Sequence, residues 1–218
     1  MTAKIEIFNK YSDEYDKWFD VHPWVYKSEV ETVRKLLPQK GQGVEIGAGT
    51  GRFSIPFGIT IGVEPSKAMA DIARSRGMTI YDAKAENLPF DDNTFDFALM
   101  VTTICFFEDP LHAIKEIRRI LCPSGKVFIG MLDKDSPLGK LYEAKKKDSK
   151  FFKYADFYSV NQVLEWLKIS GYSIIRIVQT IFRKPEEITI LEPTREGYGE
   201  GLFVVISAQK EESISKIL

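Results

Sequence analysis

The sequence predicts an α/β fold: a doubly wound sheet of seven strands, mostly parallel, with an antiparallel last strand. Three observations carry this expectation. From Gly43 onward, short apolar runs alternate with segments of helical period, the pattern of repeated βαβ units. The first apolar run ends in Gly47, Gly49 and Gly51 at alternate positions, a turn suited to the carboxyl end of a strand in such a sheet. The last two apolar runs are separated by residues 183–201, rich in Pro, Gly and Glu. No helix is left there to carry a parallel crossover, so these two runs pair most simply as antiparallel neighbours.

Strands are expected at Gly43 to Ile46, Thr60 to Glu64, Met78 to Asp82, Phe95 to Thr102, Lys126 to Met131, Ser173 to Phe182 and Leu202 to Gln209. Ser66 is a good N-cap for a helix running to Arg76, with Met69, Ile72 and Ala73 on one face and Gly77 ending it. Asp109 and Pro110 open the next helix, whose stripe is Leu111, Ile114, Ile117, Ile120 and Leu121, and Pro123-Ser124-Gly125 stops it. Ser159 caps a third, with Val163, Leu164, Trp166 and Leu167 inward and Gly171 closing it. Between Gly51 and Thr60, Pro56 and Gly58 leave room for only one or two helical turns. Before residue 40, Phe8, Tyr11, Tyr15, Trp18 and Phe19 recur at offsets of three and four, which marks an amphipathic helix with an aromatic face.

Thirty basic residues against thirty-one acidic ones leave a net charge of -1, so no global field draws the chain to nucleic acid or to an anionic membrane. Cys105 and Cys122 sit in or beside apolar segments with no zinc-ligand spacing, so free thiols in a reducing cytosol and no bound metal are expected. No run approaches the ~18–20 apolar residues of a membrane span, and the first residues lack the apolar core of a signal peptide. A cytoplasmic protein without a membrane partner is the expectation. The glycine turn by itself decides less. Arg52 breaks the dinucleotide pattern Gly-x-Gly-x-x-Gly, and no Gly-Lys-Ser/Thr follows to cradle a triphosphate. A tight turn explains it as well as a ligand loop does.

Four segments in order narrow this. They are Val44-Glu45-Ile46-Gly47-Ala48-Gly49-Thr50-Gly51, the pair Glu64-Pro65, Ala85-Glu86-Asn87-Leu88-Pro89-Phe90, and Ile117 through Gly125. Together they resemble class I S-adenosylmethionine-dependent methyltransferases of the small-molecule type related to ubiquinone-biosynthesis enzymes, over roughly residues 8–131. The resemblance implies a Rossmann-like fold in one domain, 1–218, with a helical lid at 1–40, a cofactor-binding half at 41–131 and a substrate-side half at 132–218. It implies S-adenosyl-L-methionine as cofactor, with Glu45, Gly47, Ala48, Gly49, Glu64, Pro65, Ala85, Glu86 and Thr102 around it. Glu64, seventeen positions after Gly47, would accept hydrogen bonds from both ribose hydroxyls. Lys84 stands where relatives often carry Asp, and having only donors it cannot accept from an adenine amino group.

The reaction implied is methyl transfer to a nitrogen or oxygen of a small molecule, by a monomer or homodimer, with no nucleic-acid partner. Tyr11, Tyr15, Trp18, Thr103 and Phe106 are the candidate acceptor-binding residues; Trp24 and the aromatics Phe151, Phe152, Tyr154, Phe157 and Tyr158 could complete an aromatic pocket, whose faces suit flat or cationic acceptors. No catalytic residue is assigned. The segment after the fourth strand lacks the Asn-Pro-Pro-Tyr or Asp-Pro-Pro-Tyr motif of amide and exocyclic-amine methylation. RNA or protein methylation, or cofactor binding without turnover, are the alternatives.

Overall fold

A computed structural model describes residues 3–212; the first two and last six residues of the expected 1–218 domain lie outside the described residues. Three helices come first: α1 (Ala3–Lys10), α2 (Ser12–Val21) and α3 (Pro23–Arg34). The single helix expected across Phe8 to Phe19 is instead broken at Tyr11, whose φ of -128° and ψ of 30° leave the helical region. A second break precedes Pro23, which occupies the first turn of α3, where its missing N–H costs nothing.

The sheet contains β1 (Gly43–Ile46), β2 (Ile61–Val63), β3 (Thr79–Tyr81), β4 (Phe95–Val101), β5 (Leu121–Leu132), β6 (Tyr172–Thr180), β7 (Arg195–Glu196) and β8 (Phe203–Lys210). Their order is β3-β2-β1-β4-β5-β8-β6-β7. The first five in that order are parallel; β8 runs antiparallel between β5 and β6. There are eight strands rather than seven because two residues of the 183–201 loop, Arg195 and Glu196, pair with Gln179 and Val178 at the sheet edge. Strand β5 also begins earlier than expected. Helix α5 (Pro110–Ile120) ends at Ile120 and the chain enters the sheet at once, with Pro123 and Ser124 (φ 59°) absorbed by a register shift between the Phe95–Leu121 and Phe97–Lys126 pairs.

Strand β4 is buried on both faces, as a central parallel strand must be. Ala98 and Met100 pack with Ile114 and Ile117 of α5 and with Val163 and Leu167 of α7 (Val160–Ile169). Phe97, Leu99 and Val101 face the other way, toward Val30 and Val33 of α3. The caps follow the sequence: Ser66 accepts from the Met69 N–H to start α4 (Lys67–Ser75), Asp109 from His112 and Ser159 from Gln162. A helix not foreseen, α6 (Pro137–Lys145), is capped by Ser136. Between Gly51 and Thr60 only one 3-10 turn forms, at Ile55–Phe57.

The order reverses direction at β1 and β4: from β1 the chain builds outward through β2 and β3, then returns to add β4 and β5 on the other side. The loops leaving β1 and β4 therefore part company, and a crevice opens at their carboxyl ends. Ile117, fully buried between sheet and α7, tests this core. Ile117→Ala should lower unfolding free energy by about 2–5 kcal/mol, read as a shifted urea midpoint at unchanged m-value.

Candidate functional site

The crevice is built from backbone first. Gly47, Gly49 and Gly51 have φ of 70°, 55° and 82°, the left-handed region closed to most residues. The N–H groups of Gly47 and Ala48 both donate to the Val63 carbonyl, at 2.8 and 3.0 Å, and fold the loop onto the end of β2. A β-carbon on Gly47 would come within 2.1 Å of Thr103 Oγ1, whereas one on Gly49 would meet only Met69 and Tyr15, at 3.4 and 4.0 Å. The Gly49 backbone thus presents itself to the open crevice.

Glu64, at the end of β2, fixes this loop. Its Oε2 accepts from the Gly49 N–H at 2.9 Å and its Oε1 from the Ser66 N–H at 2.8 Å. Burial pushes its carboxyl up to about 7, the two N–H donors oppose that shift, and the charge of Asp82 adds to it. Ala85, Glu86, Pro65, Thr102 and Thr103 complete the walls, with Lys84 and Glu108 at the rim, joined by an ion pair of 2.8 Å. Glu86 Oε1 is turned to the N-terminus of α5, where it accepts from the N–H groups of Glu108 and Asp109. Lys4, the other cation in the wall, is paired with Asp156.

Behind the crevice lies a second, mostly apolar cavity of about 240 Å³. The two share Phe8, Tyr15, Thr102 and Phe106, which mark the boundary between them, called the neck below. Thr102 holds φ at 51°, strained for a β-branched residue, where the chain leaves β4. Its side chain hydrogen-bonds Tyr15, whose hydroxyl burial keeps protonated, against the opposing effect of that bond and with help from nearby carboxylates. Trp18, Phe19, Val25 and Glu29 come from the N-terminal helices; Tyr142, Phe151 and Phe152 from the stretch after β5; Ile181, Pro185 and Leu202 from the segments flanking the final loop.

One carboxylate fastens the N-terminal helices over both cavities. Asp16 of α2 receives Arg52 Nε and Nη2 at 2.9 and 2.7 Å, Arg76 Nη1 and Nη2 at 2.7 and 2.6 Å, and the Thr50 hydroxyl at 2.6 Å. Burial alone would push its carboxyl up, but the bonds from Arg76, Arg52 and Thr50 outweigh that and hold it well below the usual carboxylate range. Arg52, the residue that broke the dinucleotide pattern, fastens α2 to the glycine loop.

The structure gathers Gly47, Gly49, Glu64, Pro65, Ala85, Glu86 and Thr102 about the crevice and corrects the expectation for two residues. Glu45 points beneath the loop, fully buried, and accepts a hydrogen bond from Ser54. Its carboxyl is raised to about 8 by burial, against that bond and with the Glu64 charge adding. Ala48 packs in a cluster with Ala70, Ala73, Met78 and Ile80. Of the acceptor candidates, Tyr15, Trp18, Thr103 and Phe106 line a cavity. Tyr11 does not, because the helix break sets its ring under the Lys150 ammonium at 4.1 Å. Trp24 is covered by Lys27, and Tyr158 packs on Trp166.

His22 stacks on the Trp18 ring and lines neither cavity. Cys105 is a buried thiol pushed up to about 12 by burial, so it is no nucleophile at neutral pH. Glu29 was missed. Its signal was present as a glutamate spaced four residues from both Val25 and Val33, on the apolar stripe of α3. Among the described residues no group of three or more His, Cys, Asp or Glu could hold a metal, and no helix is long and apolar enough to cross a membrane.

The methyltransferase-domain family matches residues 44–129, the span from β1 to β5. A solved S-adenosylmethionine-dependent methyltransferase of Thermotoga maritima, described as a possible histamine N-methyltransferase, superimposes with a TM-score of 0.92. It is 50% identical in sequence, covering 94% of this chain and 99% of its own. An uncharacterized protein of Methanocaldococcus jannaschii is 50% identical over 206 residues, 94% of this chain and 100% of its own. A demethylmenaquinone methyltransferase of Bacillus cereus is 28% identical over 140 residues, 56% of this chain and 59% of its own.

The chain belongs to the S-adenosylmethionine-dependent methyltransferases. It is an enzyme of that class, with S-adenosylmethionine as its cofactor. The crevice fits that ligand. A side chain at Gly49 would fill it, both of its lysines are already paired, and Glu64, Glu86 and Glu108 against Lys4 and Lys84 leave an excess of negative charge that suits a cationic sulfonium better than a phosphate.

Asp16→Asn should cost on the order of 2–3 kcal/mol in urea unfolding, less than a fully buried pair because the Asp16 side chain keeps 15% exposure. The folded-state carboxyl of Asp16 lies below its unfolded value, so its contribution is present above about pH 4 and fades as pH falls further; stability curves of wild type and variant should converge in acid. Gly47→Ala should weaken cofactor binding in titration calorimetry and lower the melting temperature, since both φ and Thr103 oppose a β-carbon.

Proposed function

We propose that this methyltransferase acts on a nitrogen or oxygen of a compact small molecule held in the inner chamber. The observation that carries the reading is the chamber itself. It is lined mainly by aromatic and aliphatic side chains and borders the crevice at Phe8, Tyr15, Thr102 and Phe106, as suits a small ligand with an apolar body. A nucleic acid or a folded protein could not present a group there without displacing the lid, and the net charge of -1 offers such partners no general attraction. The possible histamine N-methyltransferase of Thermotoga maritima makes histamine a rational first acceptor to assay. A cytoplasmic location is inferred from two free cysteines.

In this reading Gly47 and Gly49 let the backbone approach the ribose and methionine portion, Glu64 accepts from the ribose hydroxyls, and Ala85 and Glu86 flank the adenine. Bound S-adenosylmethionine supplies an electrophilic methyl group on a sulfonium, which departs as a neutral thioether. The chain's own residues supply position and dryness. Phe8 and Phe106 exclude water at the neck, and the Tyr15–Thr102 pair sets the width through which the acceptor's lone pair is presented. Such orientation contributes roughly 7–11 kcal/mol in favourable cases. The acceptor must offer an unprotonated lone pair to the methyl group, and carboxylates lining the two cavities, Glu64 and Glu29 among them, are the groups placed to take a proton that it sheds.

Glu64→Ala should weaken S-adenosylmethionine binding at least about tenfold, the loss of one charge-assisted contact of ~1.5–3 kcal/mol. Because diol binding favours the ionised carboxylate, affinity for 5′-methylthioadenosine, which has the diol but no titrating amine, should rise about tenfold from pH 6 to pH 8. Glu64→Gln should flatten that profile. Transfer of labelled methyl from S-adenosylmethionine into small metabolites, and not into RNA or protein, is the expected outcome of an acceptor screen. Label found only in macromolecules would overturn the small-molecule reading.

A further inference from the structure

Five acidic side chains are buried among the described residues: Glu29, Glu45, Glu64, Asp133 and Glu192. Four have partners. Glu45 accepts from Ser54, Glu64 from two backbone N–H groups, Asp133 from the N–H groups of Asp135 and Val160, and Glu192 from Phe182 N–H and Arg183. Glu29 has none among the described residues: it is 6% exposed, and its carboxyl opens on the inner chamber instead of on a protein donor. A buried carboxylate without a partner is destabilising, so a position that keeps one invites the question of what completes it.

What surrounds Glu29 answers in part. It lines the inner chamber with Trp18, Phe19, Tyr142 and Phe152, and no lysine, arginine or histidine lines that cavity. The chamber therefore holds one ionisable acid among aromatic faces, and both features attract a cation. Glu29 is absent from the crevice wall and from the neck, so whatever it binds lies away from the point of methyl transfer. An ammonium held by a carboxylate has no free lone pair and cannot itself be the group methylated.

We propose that Glu29 binds the protonated primary or secondary amine of a bifunctional acceptor, whose second, neutral nitrogen or oxygen reaches the Tyr15–Thr102 neck. This rests on the methyl-transfer reading above and narrows it to small bifunctional amines. Empty, the chamber keeps Glu29 protonated near neutral pH, because burial raises its carboxyl to about 8; the phenols of Tyr15 and Tyr142 are the titrating groups that feel its charge. The arriving ammonium supplies the missing counter-charge.

The test is titration calorimetry on the full chain saturated with S-adenosylhomocysteine, which fills the crevice without turnover. The probes are two matched pairs, 2-(pyridin-3-yl)ethylamine with 2-(pyridin-3-yl)ethanol and 2-phenylethylamine with 2-phenylethanol. Wild type should bind an amine at least tenfold more tightly than its alcohol, and Glu29→Gln should erase that difference while leaving S-adenosylhomocysteine affinity unchanged. Glu29→Leu, which removes an unpartnered polar group, should raise the melting temperature by about 2–4 °C, separating a binding role from a folding one. Equal affinity for amine and alcohol in wild type, amine affinity unchanged in Glu29→Gln, or no amine bound at all would overturn the assignment. Failure of wild type to bind S-adenosylhomocysteine would instead remove the methyl-transfer reading, and this inference with it.

Discussion

Both cavities depend on a single carboxylate. Asp16 takes two guanidinium groups and a hydroxyl, and these come from separate places: Arg52 and Thr50 from the glycine loop and Arg76 from the end of α4. Arg52 reaches on to Asp20, so the positive side of the cluster is also shared with a second acid of α2. Bidentate geometry makes Lys a poor substitute at either arginine. Through this joint α2 is held across the loop that follows β1, and Tyr15 beside Asp16 is thereby placed at the neck. A loop that in dinucleotide-binding proteins closes on phosphate here is bonded to a carboxylate of α2.

A second tie acts at the other end of the lid. Asn9 of α1 accepts from the Ser66 hydroxyl and the Ala68 N–H at the start of α4. The same Ser66 hydroxyl caps α4, and the Ser66 N–H donates to Glu64. Lid position, helix cap and the crevice carboxylate are thus coupled through one serine. On the inner side, the ring of Phe8 packs edge-on against Tyr15 and Phe106 and stacks on Phe151, so the walls of the chamber support one another across elements far apart in sequence.

Much of this was legible in the sequence because its cause is local. A serine or aspartate that caps a helix, a glycine forced to positive φ and an apolar stripe on α5 each declare themselves within a few residues; Ser66, Asp109, Ser159 and Gly47 lie where their chemistry put them. The expectations that failed depend on distant partners. Tyr11 breaks the aromatic helix although its spacing fits, because the chain must turn to lay α1 on α4. Glu45 follows the strand alternation to the underside of the loop, where Ser54 waits for it. Glu196 pairs at an edge only because β6 is there to receive it. Glu29 is the plainest case: its spacing placed it on the buried side of α3, and only three-dimensional packing shows that nothing meets it.

The position of β8 bears on how the molecule assembles. It lies between β5 and β6, yet both of those precede it in the chain, by 71 and 23 residues measured from the Leu132 and Thr180 ends to Phe203. Until Phe203–Lys210 arrives, β5 and β6 each carry an unpaired backbone edge beside apolar side chains, the condition under which sheets recruit strange strands. Leu202, just ahead of β8, also closes the chamber wall, bonded through its N–H to Ile181. The inner chamber is consequently a late product of folding, sealed by the same event that removes the two open edges, whereas the parallel half of the sheet, where the crevice opens, has all its strands in hand by Leu132.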